Sequence, residues 1–212
     1  MTPVGFSERP FDASILGRPV WCLDDVAQGD ASEGGILEPL GFRKIETLIT
    51  LGCALPGQKQ RLPTGIGIAQ ATDADAIADL AARAFRSDRW HSDPEIPDDR
   101  ADAYKAAWAH NDVLGRAGVT LVTLNAAGEI TGFNALLFRD DALVVDLIAV
   151  APDHQGHGNG SRLVTAAIAY GAGRFKTLQV GTQSANTASL RLYQKHGLQE
   201  IRRADTWHWT PS

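Results

Sequence analysis

Among the 212 residues of this chain, the segment Gln155-Gly-His-Gly-Asn-Gly160 is the one whose composition points most directly to chemistry. Closely spaced glycines let the backbone approach a ligand, and a helix starting just after them would offer unpaired N–H groups and partial positive charge to a phosphate. Each such amide contributes about 1.5–3 kcal/mol when it meets an anionic oxygen. A plain structural turn is the alternative. A nucleoside-triphosphate loop is excluded, because no G-x-x-x-x-G-K-[ST] string occurs. A dinucleotide fingerprint would require an acidic residue at the end of the next strand, and Lys176 to Gln183 contains none. His154 and His157 have metal-like spacing, but they lie inside the same turn without a third ligand, so no metal is expected. No G-x-S-x-G elbow supports a serine hydrolase.

The flanking patterns must position that turn. Ala142 to Val150, dense in Val, Leu and Ile, reads as a strand that Pro152 ends, and Gly158 to Tyr170 reads as a helix with Leu163, Ala166, Ala167 and Tyr170 on one side. Leu178, Val180 and Thr182 alternate with polar or small residues in a following strand, and Asn186 is placed to cap a helix that Gly197 closes. A last strand is expected near Ile201 to Trp209. Upstream, Val119 to Leu124 and Glu129 to Phe138 form a hairpin across Asn125-Ala-Ala-Gly128. Thr72 is expected to cap a helix carrying Ile77, Leu80, Ala81, Ala84 and Phe85 on one face. An irregular, proline-broken stretch from Arg86 to Asp99 follows, then a helix over roughly Ala101 to Asn111. A short strand around Ile66 to Gln70 opens this region. The Pro- and Gly-rich Ala54 to Gly65 separates it from the first 60 residues, which are expected to be a small domain docked on residues 66–212. The order implies an α/β (α+β) fold with one strand-helix-strand crossover among hairpins.

Composition narrows the class. With 44% apolar and 21% charged residues the chain is an ordinary globular one, and disordered or fibrous classes are excluded. The net charge of −5 gives no field that would gather nucleic acid. It is unevenly spread: from Ala151 onward seven basic residues face three acidic ones, leaving −9 on the first 150 residues. The C-terminal part could therefore hold a small polyanion. Cys22 and Cys53 form no C-x-x-C pair and read as buried small hydrophobes. With no signal-like start and no apolar run of membrane-spanning length, a cytoplasmic protein is expected.

Taken together, Gln155-x-x-Gly158-x-Gly160 after a Val-x-Pro strand end, Asn186 and Tyr193 seven residues apart, and Gly197 make the chain resemble the GNAT superfamily of acyl-CoA N-acyltransferases over about Ile66 to Trp209. The resemblance implies a GNAT fold, a mixed and mostly antiparallel sheet flanked by helices, with acetyl-CoA as acyl donor. It assigns the diphosphate of the coenzyme to Gln155, Gly156, His157, Gly158, Asn159 and Gly160. The pantetheine arm falls to the backbone of Ile148 and Val150, and a further coenzyme contact to Asn186. It also implies a splay between strands beside the turn, and it makes Tyr193 the donor of a proton to the departing thiolate. A tyrosine at about 10 is a weaker acid than a thiol at about 8.5, so full transfer in water costs about 2 kcal/mol and must be concerted or helped by the site. Asp146, which shares strand parity with Ile148 and Val150, and His91, in the irregular stretch, are the candidate bases. Tyr193 on an amphipathic helix, and Asp146 as a hydrogen-bond partner, also have purely structural readings.

Within the superfamily the chain is most similar to the bacterial dTDP-fucosamine acetyltransferases. The similarity rests on Leu40-Gly-Phe42, Ala84-Phe85-x-x-x-Arg89, Ala103-Tyr104-x-x-x-Trp108-x-x-Asn111 and Val180-Gly-Thr-Gln183-x-x-Asn186-Thr-Ala188. It implies a small-molecule amine acceptor, a nucleotide-linked amino sugar, contacted by Arg86, Asp88 and Arg89. A homodimer is the assembly considered. The alternatives are transfer to a protein N-terminus or another small amine, and a non-catalytic domain that senses acyl-CoA.

Overall fold

The computed structural model describes residues 13–16, 20–27 and 35–210. Its strands are β1 (Trp21–Ala27), β2 (Arg43–Ala54), β3 (Ile66–Ile68), β4 (Val119–Leu124), β5 (Ile130–Arg139), β6 (Ala142–Val150), β7 (Thr177–Gln183) and β8 (Gln199–Trp209). Its helices are α1 (Ala74–Ala84), α2 (Arg89–Ser92), α3 (Asp98–Asn111), α4 (Asn159–Gly171) and α5 (Thr187–Lys195). All eight strands join one sheet in the order β1-β8-β2-β7-β6-β5-β4-β3. Every pairing is antiparallel except β6 with β7, which run parallel and are joined by the crossover through α4.

Helices cover both faces, which is why β6 is apolar almost throughout. On one face Leu143, Val145, Leu178 and Val180 pack with Val164 and Ala167 of α4 and with Tyr193 of α5. On the other, Phe133, Ala135 and Leu147 meet Ile77, Leu80 and Ala81 of α1 and Ala109 of α3. Each fully buried Leu or Ile in these layers contributes roughly 1.5–3 kcal/mol. A third cluster, built on Trp90, Ile96, Ala101 and Tyr104, fills the space beneath α2 and α3.

The sheet divides where the cleft forms. β6 and β7 pair only from Ala142–Val145 to Thr177–Val180. Beyond that, β6 stays with β5 as far as Val150, while β7 stays with β2 as far as Gln183. Asp146 is the extra residue of a bulge, since Val145 is opposite Leu136 and Leu147 opposite Ala135. A bulge bends its strand and raises local twist, which turns β6 away from β7 at this point.

Three local findings differ from the sequence reading. The helix start before α1 is capped by Gln70 and Asp73, not Thr72: Asp73 Oδ2 accepts the Gln70 N–H at 2.7 Å across one 3₁₀ turn. α3 begins three residues earlier than expected, on Pro97, with Asp98 and Asp99 at its positive end. The irregular stretch before it contains α2, which Asp88 caps by accepting the Trp90 N–H at 2.9 Å. At the N-terminal side, β2 lies inside the sheet, paired with β7 along Leu48–Ala54 and with β8 along Arg43–Gly52. The boundary expected between residues 60 and 66 falls in the connection from β2 to β3. Of the two cysteines, Cys22 is buried and Cys53 partly so. No helix among the described residues is long and apolar enough to cross a membrane.

Candidate active site

Where β6 and β7 part, a cavity of about 640 Å³ opens between the glycine-rich turn and the loop after α1. At one end the turn is built for close approach: Gly156 (φ 77°) and Gly158 (φ 81°) take left-handed conformations that other residues adopt only at a cost. A Cβ placed on either would meet no protein atom within 4 Å, so the space beside them is free for a ligand. Gly158 precedes α4, whose first N–H groups lack helical acceptors. Gln155 Nε2 donates to the Val150 carbonyl at 3.1 Å and Asn159 Nδ2 to the His154 carbonyl at 3.0 Å, fixing the turn from both sides. Glycine conformation, free space and unpaired amides together fit a diphosphate.

The Ala151 N–H bonds the Thr131 carbonyl of β5 at 2.9 Å. By alternation the backbone groups of Val150 and Ile148 point the opposite way, into the gap left by β7. Ile148, Val150, Gln155, Gly156, Gly158, Asn159, Gly160 and Asn186 all lie on the cavity wall. His157 does not; it is exposed outside it, and His154 lies on the wall in its place. Asn186 also caps α5, its Oδ1 accepting the Ser189 N–H at 3.1 Å. Tyr193 lines the cavity and packs in the core at 3% exposure. Burial pushes its phenol well above the usual range, against a hydrogen bond from Ser189. The phenol therefore stays protonated, and a thiolate drawing its proton must be desolvated to a similar degree.

The other end of the cavity holds Phe85, Arg86, Ser87, Asp88, Lys105 and Asp146. Lys105 was not anticipated. Its ammonium lies 3.6 Å from Asp88 and stacks 4.7 Å from the Phe85 ring and 4.9 Å from the Trp108 ring, while burial lowers its pKa. Burial opposes the ionisation of Asp88, but Lys105 and His91 overcome it and hold its carboxyl at about 2. His91 does not have the geometry of a base. Nδ1 meets Asp88 at 2.8 Å and Nε2 meets Asp102 at 3.0 Å, and these bonds outweigh burial and raise its pKa. An imidazolium with both nitrogens engaged has no lone pair to accept a proton. His91 and Arg89 are both off the wall; Arg89 lies 3.8 Å from Glu46, whose carboxyl burial raises.

Asp146 reaches the cavity from the bulge. Its Oδ2 accepts the Trp108 indole N–H at 2.6 Å and bonds Arg116. Those partners lie on the α3 face, whereas Ile148 packs on the α4 face, so the bulge breaks the parity expected between them. Asp112, Arg116 and Trp108 were also missed. The signals for them were the i, i+4 spacing of Asp112 and Arg116 and the one-turn spacing of Tyr104 and Trp108 on α3. No group of three or more His, Cys, Asp or Glu suited to a metal occurs among the described residues.

The model of the acetyltransferase (GNAT) family matches residues 75–198, which include the turn, the parted strands, Asn186 and Tyr193. The chain belongs to this GNAT family. A dTDP-fucosamine acetyltransferase of Escherichia coli O6:H1 is 34% identical over 176 residues, covering 81% of this chain and 74% of that protein. A spore coat polysaccharide biosynthesis protein of Bacillus subtilis is 32% identical over 133 residues, or 62% of this chain. The match spans about half of that second relative's length, 46%. A GNAT-family structure from Novosphingobium aromaticivorans superposes with a TM-score of 0.64, at 18% identity, over 94% of this chain and 79% of that one. That likeness bears on the fold alone. GNAT-family enzymes are acyl-CoA N-acyltransferases, with acetyl-CoA as the donor.

Proposed function

We propose that the protein transfers an acetyl group from acetyl-CoA to the primary amine of a nucleotide-linked amino sugar, by direct attack in a ternary complex. The observation that carries this reading is the parting of β6 from β7 beside the Gly156–Gly158 turn, with Asp146 and Tyr193 both lining the cavity that opens there. The coenzyme supplies the activated acyl group. The α4 amides and the turn hold its diphosphate, and the backbone of Ile148 and Val150 orients the arm between the strands. A backbone N–H in that stretch stabilises the negative charge that develops on the carbonyl oxygen. Asp146 takes the proton from the acceptor ammonium, and Tyr193 gives one toward sulfur.

The acceptor class is supported by the names of the two relatives and by the polar end of the cavity, which Arg86, Ser87 and Asp88 line, Arg86 paired with Asp102 and Asp88 with Lys105 and His91. The test is thiol release with acetyl-CoA against a panel of nucleotide amino sugars, free amino sugars and peptides. Turnover on a nucleotide amino sugar at least tenfold above the others is expected. Turnover confined to peptides or simple amines refutes the acceptor assignment.

A further inference from the structure

Behind the carboxylate that faces the cavity lies a second one. Asp112 is in the π-type turn Asp112–Arg116 that closes α3, with Gly115 at φ 117°. Its side chain is 0% exposed, that of Asp146 is 12% exposed, and both bond the same Nη1 of Arg116. Oxygens bound to one nitrogen lie no farther apart than about two hydrogen-bond lengths, roughly 6 Å. Asp112 Oδ2 is buried without a hydrogen-bond partner. One guanidinium cannot neutralise two carboxylates in such a place, and like charges this close do not both ionise readily.

We propose that Asp112 and Asp146, clamped by Arg116, act as one base, with Asp146 touching the acceptor and Asp112 serving as the positioning residue that strengthens the pair's hold on a proton. This rests on the acetyl-transfer reading above. Other charged groups near the pair are few. Lys105 on α3 acts on Asp146. In the turn before α1, the Asp73 carboxylate is engaged by the Gln70 amide. β4 carries no ionisable side chain, and the only one on β5, Arg139, donates to the Phe138 carbonyl. Burial, and then the charge of Asp146, keep the Asp112 proton in place up to about 8 against the pull of Arg116. Below that pH the pair already holds one proton and is a poor base; above it, the pair is free to take one.

The proton balance closes. The acceptor ammonium gives one proton to the pair, and the freed nitrogen lone pair forms the C–N bond as the C–S bond breaks. Sulfur takes a proton from Tyr193, which regains one from the new amide nitrogen, and the pair releases its proton to solvent when product leaves.

The experiment measures kcat/KM against pH for the full chain and for Asp112→Asn and Asp146→Asn, with coenzyme affinity as the check on folding. A carboxyl ¹³C titration of the coenzyme-bound wild type runs beside it. The wild type is expected to show an acid limb near pH 8. In Asp112→Asn that limb moves down by at least one unit and the rate at pH 9 falls at least tenfold, while Asp146→Asn loses at least a hundredfold at every pH. The acceptor's own amine also titrates in this range, but its contribution does not move with the substitution. An unchanged limb in Asp112→Asn overturns the pair and leaves Asp146 alone as the base. If that variant fails to bind coenzyme, or if no amine is turned over at all, the ¹³C titration decides: an upper carboxyl step between pH 7 and 9 supports the pair, and none above pH 6 overturns it.

Discussion

Gly158 offers a way to separate backbone strain from ligand contact. Its φ of 81° is unfavourable for any residue with a Cβ, at about 1–2 kcal/mol, yet a Cβ there would meet no protein atom within 4 Å. Gly158→Ala and Gly158→Glu should therefore lose similar stability, roughly 1–2 kcal/mol, or a fall of about 2–8 °C in Tm for a chain of this size. Their coenzyme affinities should differ sharply. A glutamate carboxylate about 5 Å from one diphosphate charge, at an effective dielectric near 20, is repelled by roughly 3 kcal/mol, which is about a hundredfold in Kd. Isothermal titration with acetyl-CoA should show less than a tenfold loss for alanine and at least a hundredfold further loss for glutamate. Equal affinities in the two variants would refute the placing of the diphosphate at this turn.

Tyr193→Phe should lower kcat by about 10²–10⁴ while leaving the coenzyme Kd within threefold, as stopped-flow thiol release and calorimetry would report; an unchanged rate removes the proton-donor role. Asp73→Ala should cost about 1 kcal/mol of stability in urea denaturation, whereas Thr72→Ala should cost less than about 0.5, because Asp73 takes part in the cap and Thr72 does not. Asp88 is held at about 2, below the usual unfolded value near 3.9, so it stabilises the fold above about pH 4 and that contribution is lost as pH falls toward 2. The difference is worth about 2–3 kcal/mol, and urea midpoints followed from pH 5 to 2 should fall less steeply in Asp88→Asn than in the wild type.

Much of the α/β frame was legible because its signals are local. The apolar run Ala142 to Val150, the glycines that follow it and the Asn186 cap each fix their element from a few neighbouring residues. Four features were not legible. Nothing in Arg43 to Ala54 distinguishes a strand docked beside a sheet from one inserted in it, since the partners β7 and β8 lie more than a hundred residues away. The bulge at Asp146 is hidden because both faces of β6 are covered, so a flip of face leaves the apolar pattern unbroken. His91 suggested a free base by its type, and only the folded chain shows Asp88 and Asp102 on its two nitrogens. Lys105 escaped notice for a related reason: a lysine on a helix reads as solvated, and its burial depends on Phe85 and Trp108 closing over it.

The central claim is tested most directly by a crystal structure of the protein with coenzyme A. The account predicts the diphosphate within hydrogen-bond distance of the backbone N–H groups of residues 156–160, and the sulfur between β6 and β7 with Asp146 and Tyr193 facing it. Coenzyme bound on another surface, with the gap between those strands empty, would contradict it.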